Sequence, residues 1–251
     1  MTSHPELRAA LVDIGGTLWP NSWPVRATDS EGRLARLRVV LPDLSLERAT
    51  LLVNDIINKS RDLNGGTVMV PELIRVEADE LVTMCLNDHG VPAQPTTVMR
   101  VRRAMAIPID GAFQPLPGAV DLLATIRAIG LRCVIASNTY WRDAKSYWDD
   151  FDQLGMTPYI DAVVTSVDAG HLKPHPAVFE LSVRAAGVPA EQCVVIGNKE
   201  SNDIEPALAM GMRAILVHPD DPPPTSSKAD LVAPDLWECA KALKAMLRGS
   251  A

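Results

Sequence analysis

A chain of 251 residues, 47% of them hydrophobic, holds enough apolar material for one large core or two modest ones, which excludes a disordered or collagen-like protein. A net charge of −7, with Arg100, Arg102 and Arg103 as the densest basic stretch and read as a solvated helix face, argues against a nucleic-acid binder but leaves room for a locally held anionic substrate. The first eight residues carry no apolar leader, and no stretch approaches the roughly 18 apolar residues of a membrane span. The four cysteines, Cys85, Cys133, Cys193 and Cys239, form no CxxC pair, and Cys133 and Cys193 fall within apolar runs where buried thiols are expected. A cytoplasmic protein without membrane or nucleic-acid partners is the expectation.

The first predicted strand covers residues 9–14. Residues 21–111 then lack β-like runs. Leu46, Ala49, Val53, Ile56 and Ile57 recur at helical spacing, as do Ile74, Ala78, Leu81, Val82 and Cys85. Helices are predicted to begin near Gly32, Ser45, Pro71 and Thr96, with a loop at Asn64, Gly65 and Gly66. Beyond residue 112 the chain alternates regularly: helix 118–129, strand 131–137, helix 140–154, strand 162–166, helix 176–186, strand 192–197, helix 203–210 and strand 213–218. A Pro- and Ser-rich loop at 220–227 precedes a candidate edge strand at 229–232 and a closing helix at 234–247. The strands read as continuous apolar runs, as strands covered on both faces do. Such alternation predicts parallel βαβ units with right-handed crossovers. The fold class is therefore α/β: a Rossmann-like parallel sheet from residues 1–20 and 112–251, with a helical cap inserted at 21–111 and hinges near 20–23 and 111–117.

Four short motifs fall, in order, at the C-terminal ends of predicted strands, the edge where open parallel sheets bind ligands. In the first, Leu11-Val12-Asp13-Ile14-Gly15-Gly16-Thr17, a carboxylate leaves a buried strand into a Gly-rich turn whose free N–H groups suit an anion. The second, Ala136-Ser137-Asn138-Thr139, runs into a helix expected to start near Tyr140, where a hydroxyl and helix N-terminal amides suit a phosphoryl oxygen and where N-capping is the plain alternative. The third, Gly170-His171-Leu172-Lys173-Pro174-His175-Pro176, fixes a lysine beside prolines, able to neutralise a nucleophile and a substrate anion. His171 and His175 flank it as candidate acids or as loop residues. The fourth, Gly197-Asn198-Lys199-Glu200-Ser201-Asn202-Asp203, offers Asn198 and Asp203 as oxygen donors for a hard cation, with helix capping open for Asp203. Trp19, Trp23 and Trp141 follow motifs one and two, either as hinge packing or as an apolar pocket wall.

The ordered set resembles the haloacid dehalogenase-like hydrolases, whose pattern is D-x-D-x-T, then Ser or Thr, then Lys, then an acidic motif. The resemblance implies Asp13 as nucleophile and Lys173 as charge balance. It implies Gly15, Gly16, Thr17, Ser137 and Asn138 around a phosphate, and Mg2+ held by Asp13, Gly15, Asn198 and Asp203. The inserted helices are similar to the family's C1-type cap, which closes over the site and sets specificity. The activity this implies is Mg2+-dependent hydrolysis of a small phosphorylated metabolite through an aspartyl-phosphate.

Two residues depart from the pattern. Gly15 stands where phosphatases of the family carry their acid/base Asp, and Asn198 replaces the first acid of motif four. Positioned acid/base catalysis is worth about 10²–10⁴ in rate, or about 3–5 kcal/mol of barrier. The 2-haloacid dehalogenases of the family share both losses and need neither metal nor leaving-group proton, although they carry an aromatic residue at the position of Gly15. A non-catalytic binding protein is a third possibility. The turn also matches the phosphate loop of sugar kinases, but Pro20 and Pro24 bar the second hairpin strand those proteins need.

Overall fold

The computed structural model describes residues 5–20, 29–63, 77–109, 113–218 and 226–248. The predicted helix start at Pro71, Ile74, the 64–66 loop, Trp23, parts of both hinges and most of the 220–227 loop lie outside them.

Six strands form one parallel sheet: β1 (Ala9–Val12), β2 (Arg132–Ser137), β3 (Ala162–Thr165), β4 (Cys193–Gly197), β5 (Arg213–Val217) and β6 (Leu231–Ala233), in the order β3-β2-β1-β4-β5-β6. β1 lies at the centre and is buried along its whole length, which is why its four residues are all apolar. Val12 pairs with Ile135 of β2 on one side and Ile196 of β4 on the other. Strand order reverses between β1 and β4, so the carboxyl ends of these strands open a crevice at the switch point.

Helices α5 (Ala119–Ala128), α6 (Ala144–Gln153), α7 (Ser166–Ala169), α8 (Pro176–Ala186), α9 (Glu205–Ala209) and α10 (Leu236–Arg248) accompany the sheet, after the four helices described below. Val178, Phe179 and Ala186 of α8 pack with Ala9, Leu11, Val134 and Val195 in one dry layer, the product of the apolar runs on both elements. Two predicted helix starts are corrected. α6 begins at Ala144 rather than near Tyr140, because Asp143 caps it by accepting the Ser146 N–H at 2.9 Å. Asp203 does not cap α9 but sits inside a π-helical turn, Glu200–Ile204, that precedes it.

The chain separates into two compact units, one of Met1–Ser22, Gly111–Thr139 and Asp143–Ala251, the other of Trp23–Asp110 with Tyr140–Arg142. Within the second, the described residues form α1 (Asp29–Val40), α2 (Leu46–Leu63), α3 (Ala78–Asp88) and α4 (Pro95–Met105), with no strand among them. Ala49, Val53, Ile56, Leu81, Val82 and Cys85 enter its core as the helical periodicity requires, together with Leu52, Val98 and Val101, while Leu46 at the start of α2 is exposed. Arg102 corrects the solvated-face reading of the basic stretch. It is buried in this unit because Nε donates to Asp79 Oδ1 at 2.7 Å and Nη1 to the Trp141 carbonyl at 2.8 Å, which supply the counter-charge and acceptor a buried guanidinium needs.

Candidate active site

The turn after β1 is closed by one carbonyl. Ile14 O accepts the N–H groups of Thr17 (3.1 Å), Leu18 (2.8 Å) and Trp19 (2.9 Å), and Gly16 N–H donates to Trp19 O at 2.6 Å. The amides expected to stand free for an anion at Gly16 and Thr17 are therefore used by the turn itself. Gly16 takes φ +80°, a conformation that favours glycine; Gly15 is not among the positive-φ residues. This tight reversal presents Asp13 at the sheet edge, its own N–H bound to Ile196 O of β4 at 2.9 Å and its Oδ2 accepting the Thr17 hydroxyl at 3.1 Å.

Lys173 reaches the same carboxylate. Its Nζ donates to Asp13 Oδ1 at 2.7 Å, Asp203 Oδ1 at 2.6 Å and the Ala136 carbonyl at 2.9 Å. Three donors meet three acceptors, with Lys173 4% exposed and Asp13 and Asp203 7% and 2%. Burial pushes the Asp13 carboxyl up, against the pull of Lys173. Burial alone would pull Lys173 down, but Asp13 and Asp203 outweigh it and hold the ammonium above its ordinary range. The lysine stays charged.

Asp203 enters this cluster because position 197 is glycine. A Cβ there would lie 2.5 Å from Asp203 Cβ and Cγ and 2.7 Å from Oδ2. The same Oδ2 accepts the Lys199 N–H at 3.1 Å, which tightens the π-helical turn around the acid. Gly197 is a functional position that motif four does not single out; its signal in the sequence is a glycine ending an otherwise Val/Ile strand, a mark of close approach. Asn198 follows, with a buried Oδ1 that has no hydrogen-bond donor among the described residues.

Motif two carries neither a helix N-terminus nor free side chains. The Ser137 hydroxyl is buried and donates to the Asn138 carbonyl at 3.3 Å. Both ends of the Asn138 amide are used by the Lys173 backbone, Oδ1 accepting its N–H at 2.7 Å and Nδ2 donating to its carbonyl at 2.9 Å. Thr139 is held likewise, its N–H donating to Ser166 Oγ at 2.9 Å and its carbonyl accepting from that hydroxyl at 2.8 Å.

Other candidates fall elsewhere. His171 and His175 are exposed and stack at 3.9 Å, His175 Nδ1 accepting the Ala177 N–H at the start of α8. Trp19 is buried in an aromatic cluster with Phe113, Tyr147 and Phe151, at 5.1, 5.5 and 5.4 Å between ring centres. Trp141 lies with Tyr140 in the second unit. Among the described residues no group of three or more His, Cys, Asp or Glu side chains converges as a metal site, so a cation here would depend on amide and carbonyl oxygens as well. No described helix is long and apolar enough to cross a membrane.

Comparison with known proteins adds the family. The model of the haloacid dehalogenase-like hydrolases matches residues 7–211. The chain is 24% identical over 211 residues to glyceraldehyde 3-phosphate phosphatase of Methanocaldococcus jannaschii, 84% of this chain and 85% of that one. Among solved structures, a HAD phosphatase from Thermococcus onnurineus gives a TM-score of 0.56 at 20% identity, covering 94% of this chain and 98% of its own. A 2-haloacid dehalogenase from Pseudomonas syringae pv. Tomato DC3000 gives 0.57 at 22%, covering 96% and 99%. At such identities the two structures speak for the shared fold alone.

Proposed function

Since the chain belongs to the haloacid dehalogenase-like hydrolases, we propose that it is a phosphatase of a small phosphorylated metabolite, with Asp13 as the nucleophile. The observation that carries this reading is the buried triad of Asp13, Lys173 and Asp203 at the sheet's switch point. The phosphatase name of a relative matched over most of both chains supports the substrate class.

Asp13 attacks phosphorus in line with the leaving oxygen; the new O–P bond forms as the ester P–O bond breaks, and the electron pair leaves with the alcohol oxygen. Lys173 holds Asp13 in place and offsets its charge, while Thr17 fixes the other carboxylate oxygen. The N–H of Gly15, and the Ser137 hydroxyl where it gives up its long 3.3 Å bond to the Asn138 carbonyl, are the candidates for the phosphoryl oxygens. Water then attacks the phosphorus of the aspartyl-phosphate, releasing phosphate and restoring the carboxylate.

The donor set fits Mg2+. Two buried carboxylates against one ammonium leave a net negative charge, and the partnerless Oδ1 of Asn198 is an oxygen of the kind a hard cation takes. Asp13, the Gly15 carbonyl, Asn198 and Asp203 would hold it. When bound, Mg2+ supplies positive charge to the phosphoryl oxygens.

Gly15 brings no acid to the leaving group, so rates are expected to fall steeply as the leaving group becomes more basic. The test is a screen of p-nitrophenyl phosphate, acetyl phosphate, glyceraldehyde 3-phosphate and 2-chloropropionate, with Mg2+ and with chelator. Mg2+-dependent cleavage, faster for the first two, supports the reading. Equal rates on sugar and nitrophenyl esters would require another acid, and metal-independent turnover of the haloacid alone would make the protein a dehalogenase. Gly15→Asp is expected to raise turnover of alkyl phosphates by about tenfold. The positive φ of this turn belongs to Gly16, so a side chain at position 15 brings no left-handed backbone strain.

A further inference from the structure

We propose that Asn138 is a positioning residue that sets Lys173, rather than a group that touches the substrate. The kinetic consequence rests on the phosphatase reading; the structural one does not.

Lys173 lies in the segment between α7 and α8, outside any helix or strand, so its peptide groups need partners from elsewhere. Asn138 supplies both, from 35 residues away in sequence. A side-chain amide has one oxygen and one NH2 group, and here each meets a backbone group of the same residue, at 2.7 and 2.9 Å. Two antiparallel bonds fix both the place and the rotation of that residue, as one bond would not. From this fixed origin the lysine stem runs to the Ala136 carbonyl, 2.9 Å from Nζ. The end of β2 therefore holds the lysine at both ends, its backbone through Asn138 and its ammonium through Ala136. Asp13 and Asp203 take the other two ammonium donors. A lysine gives up considerable rotamer freedom to sit in one such geometry, and a pinned backbone limits the directions from which the stem can start. Side chains of other types do not reproduce the clamp. Aspartate keeps the acceptor but turns a second acceptor toward the Lys173 carbonyl, and alanine reaches neither group.

The experiment labels intact protein with acetic anhydride and follows acetylation of each lysine by peptide mass spectrometry, with exposed Lys145 as the internal standard. Lys173 is expected to be protected in the wild type. In Asn138→Ala its rate relative to Lys145 should rise by at least about tenfold, because opening of the clamp is local. Unchanged protection in a variant with a native circular dichroism spectrum overturns the proposal. Should Asn138→Ala not fold, Asn138→Asp removes only the donor and is labelled the same way, with a smaller rise expected and no rise again overturning it. Kinetics with p-nitrophenyl phosphate give the second readout. Asn138→Ala should lower kcat with little change in KM, and in a Lys173→Met background it should cost less than about twofold more, since the two act as one unit. Additive losses, or a rise in KM alone, would instead mark Asn138 as a substrate contact. A wild type without turnover would end the phosphatase reading, while the labelling still decides the role of Asn138.

Discussion

Asp13 illustrates how an active site is destabilised in order to work. Burial drives its carboxyl upward, so its ionised form is held at a cost that Lys173 only partly offsets. A carboxyl raised on folding contributes stability at low pH that is lost as pH rises through its folded value. Asp13→Asn is therefore expected to melt no lower than the wild type at neutral pH in chelator-containing buffer. Any gain should shrink as pH falls into the ordinary carboxylate range, and a calorimetric pH series checks this. The same variant should retain less than about a tenth of wild-type turnover; more than that would remove Asp13 from the nucleophile's role. Gly197 makes the complementary case. A methyl at this position meets Asp203 at 2.5 Å, and the acid must move. Gly197→Ala is expected to cost about 1–3 kcal/mol by overpacking, read from urea unfolding. It should also lower kcat, because Asp203 would leave Lys173.

At the level of elements, the chemistry lies beyond the strand ends, and the segments that follow the strands are tied to one another by side chains. Asp168 shows how. In the first turn of α7 its Oδ2 accepts the Thr165 N–H (3.1 Å) and hydroxyl (2.5 Å) and also the Ala144 N–H at the start of α6 (3.0 Å). The Asp168 N–H donates in turn to the Thr165 hydroxyl oxygen, completing a capping box. One carboxylate thus ties β3 to α6. Asp168→Ala should cost about 1–2 kcal/mol, the upper range of a lost cap, with the shift seen in the urea midpoint. If it costs no more than an exposed surface substitution, the tie between the elements is energetically idle. Ser166 on the same short helix binds both backbone groups of Thr139, so this region also fixes the residue that follows Asn138.

Across the whole molecule, all four cysteines are reduced and buried. Burial pushes the thiols of Cys85 and Cys239 to about 12 and that of Cys193 to about 11, and raises Cys133 as well. Thiolate, the reactive form, is scarce at pH 8 in the folded protein. A disulfide reagent such as dithionitrobenzoate should therefore modify none of the four in native buffer over minutes and all four in denaturant. Fast modification of even one would show an opening that the packed core does not provide. The thiols fall in both compact units, Cys85 in the helical one and the others with the sheet, so the experiment reports on both cores.

The sequence by itself determined the sheet, its order of motifs and the helices that the described residues between β1 and α5 form. Those depend on local patterns: apolar runs for the doubly covered strands and three-to-four spacing in α2 and α3. It also marked Asp13, Lys173 and Asp203 as candidates, because carboxylates just beyond apolar strands and a lysine fixed among prolines before a helix are conspicuous. What it left open is which atoms are already spent. The amides of Gly16 and Thr17, the side chain of Asn138 and the guanidinium of Arg102 all read as available; the first two are spent inside their own turn, and Asn138 and Arg102 are engaged by partners that only folding brings near. The role of Gly197 was hidden for the same reason. Hydrogen-bond satisfaction and steric room are properties of pairs of groups in the folded chain, and a residue type records what a group is able to bind, whereas the three-dimensional structure decides what it does bind.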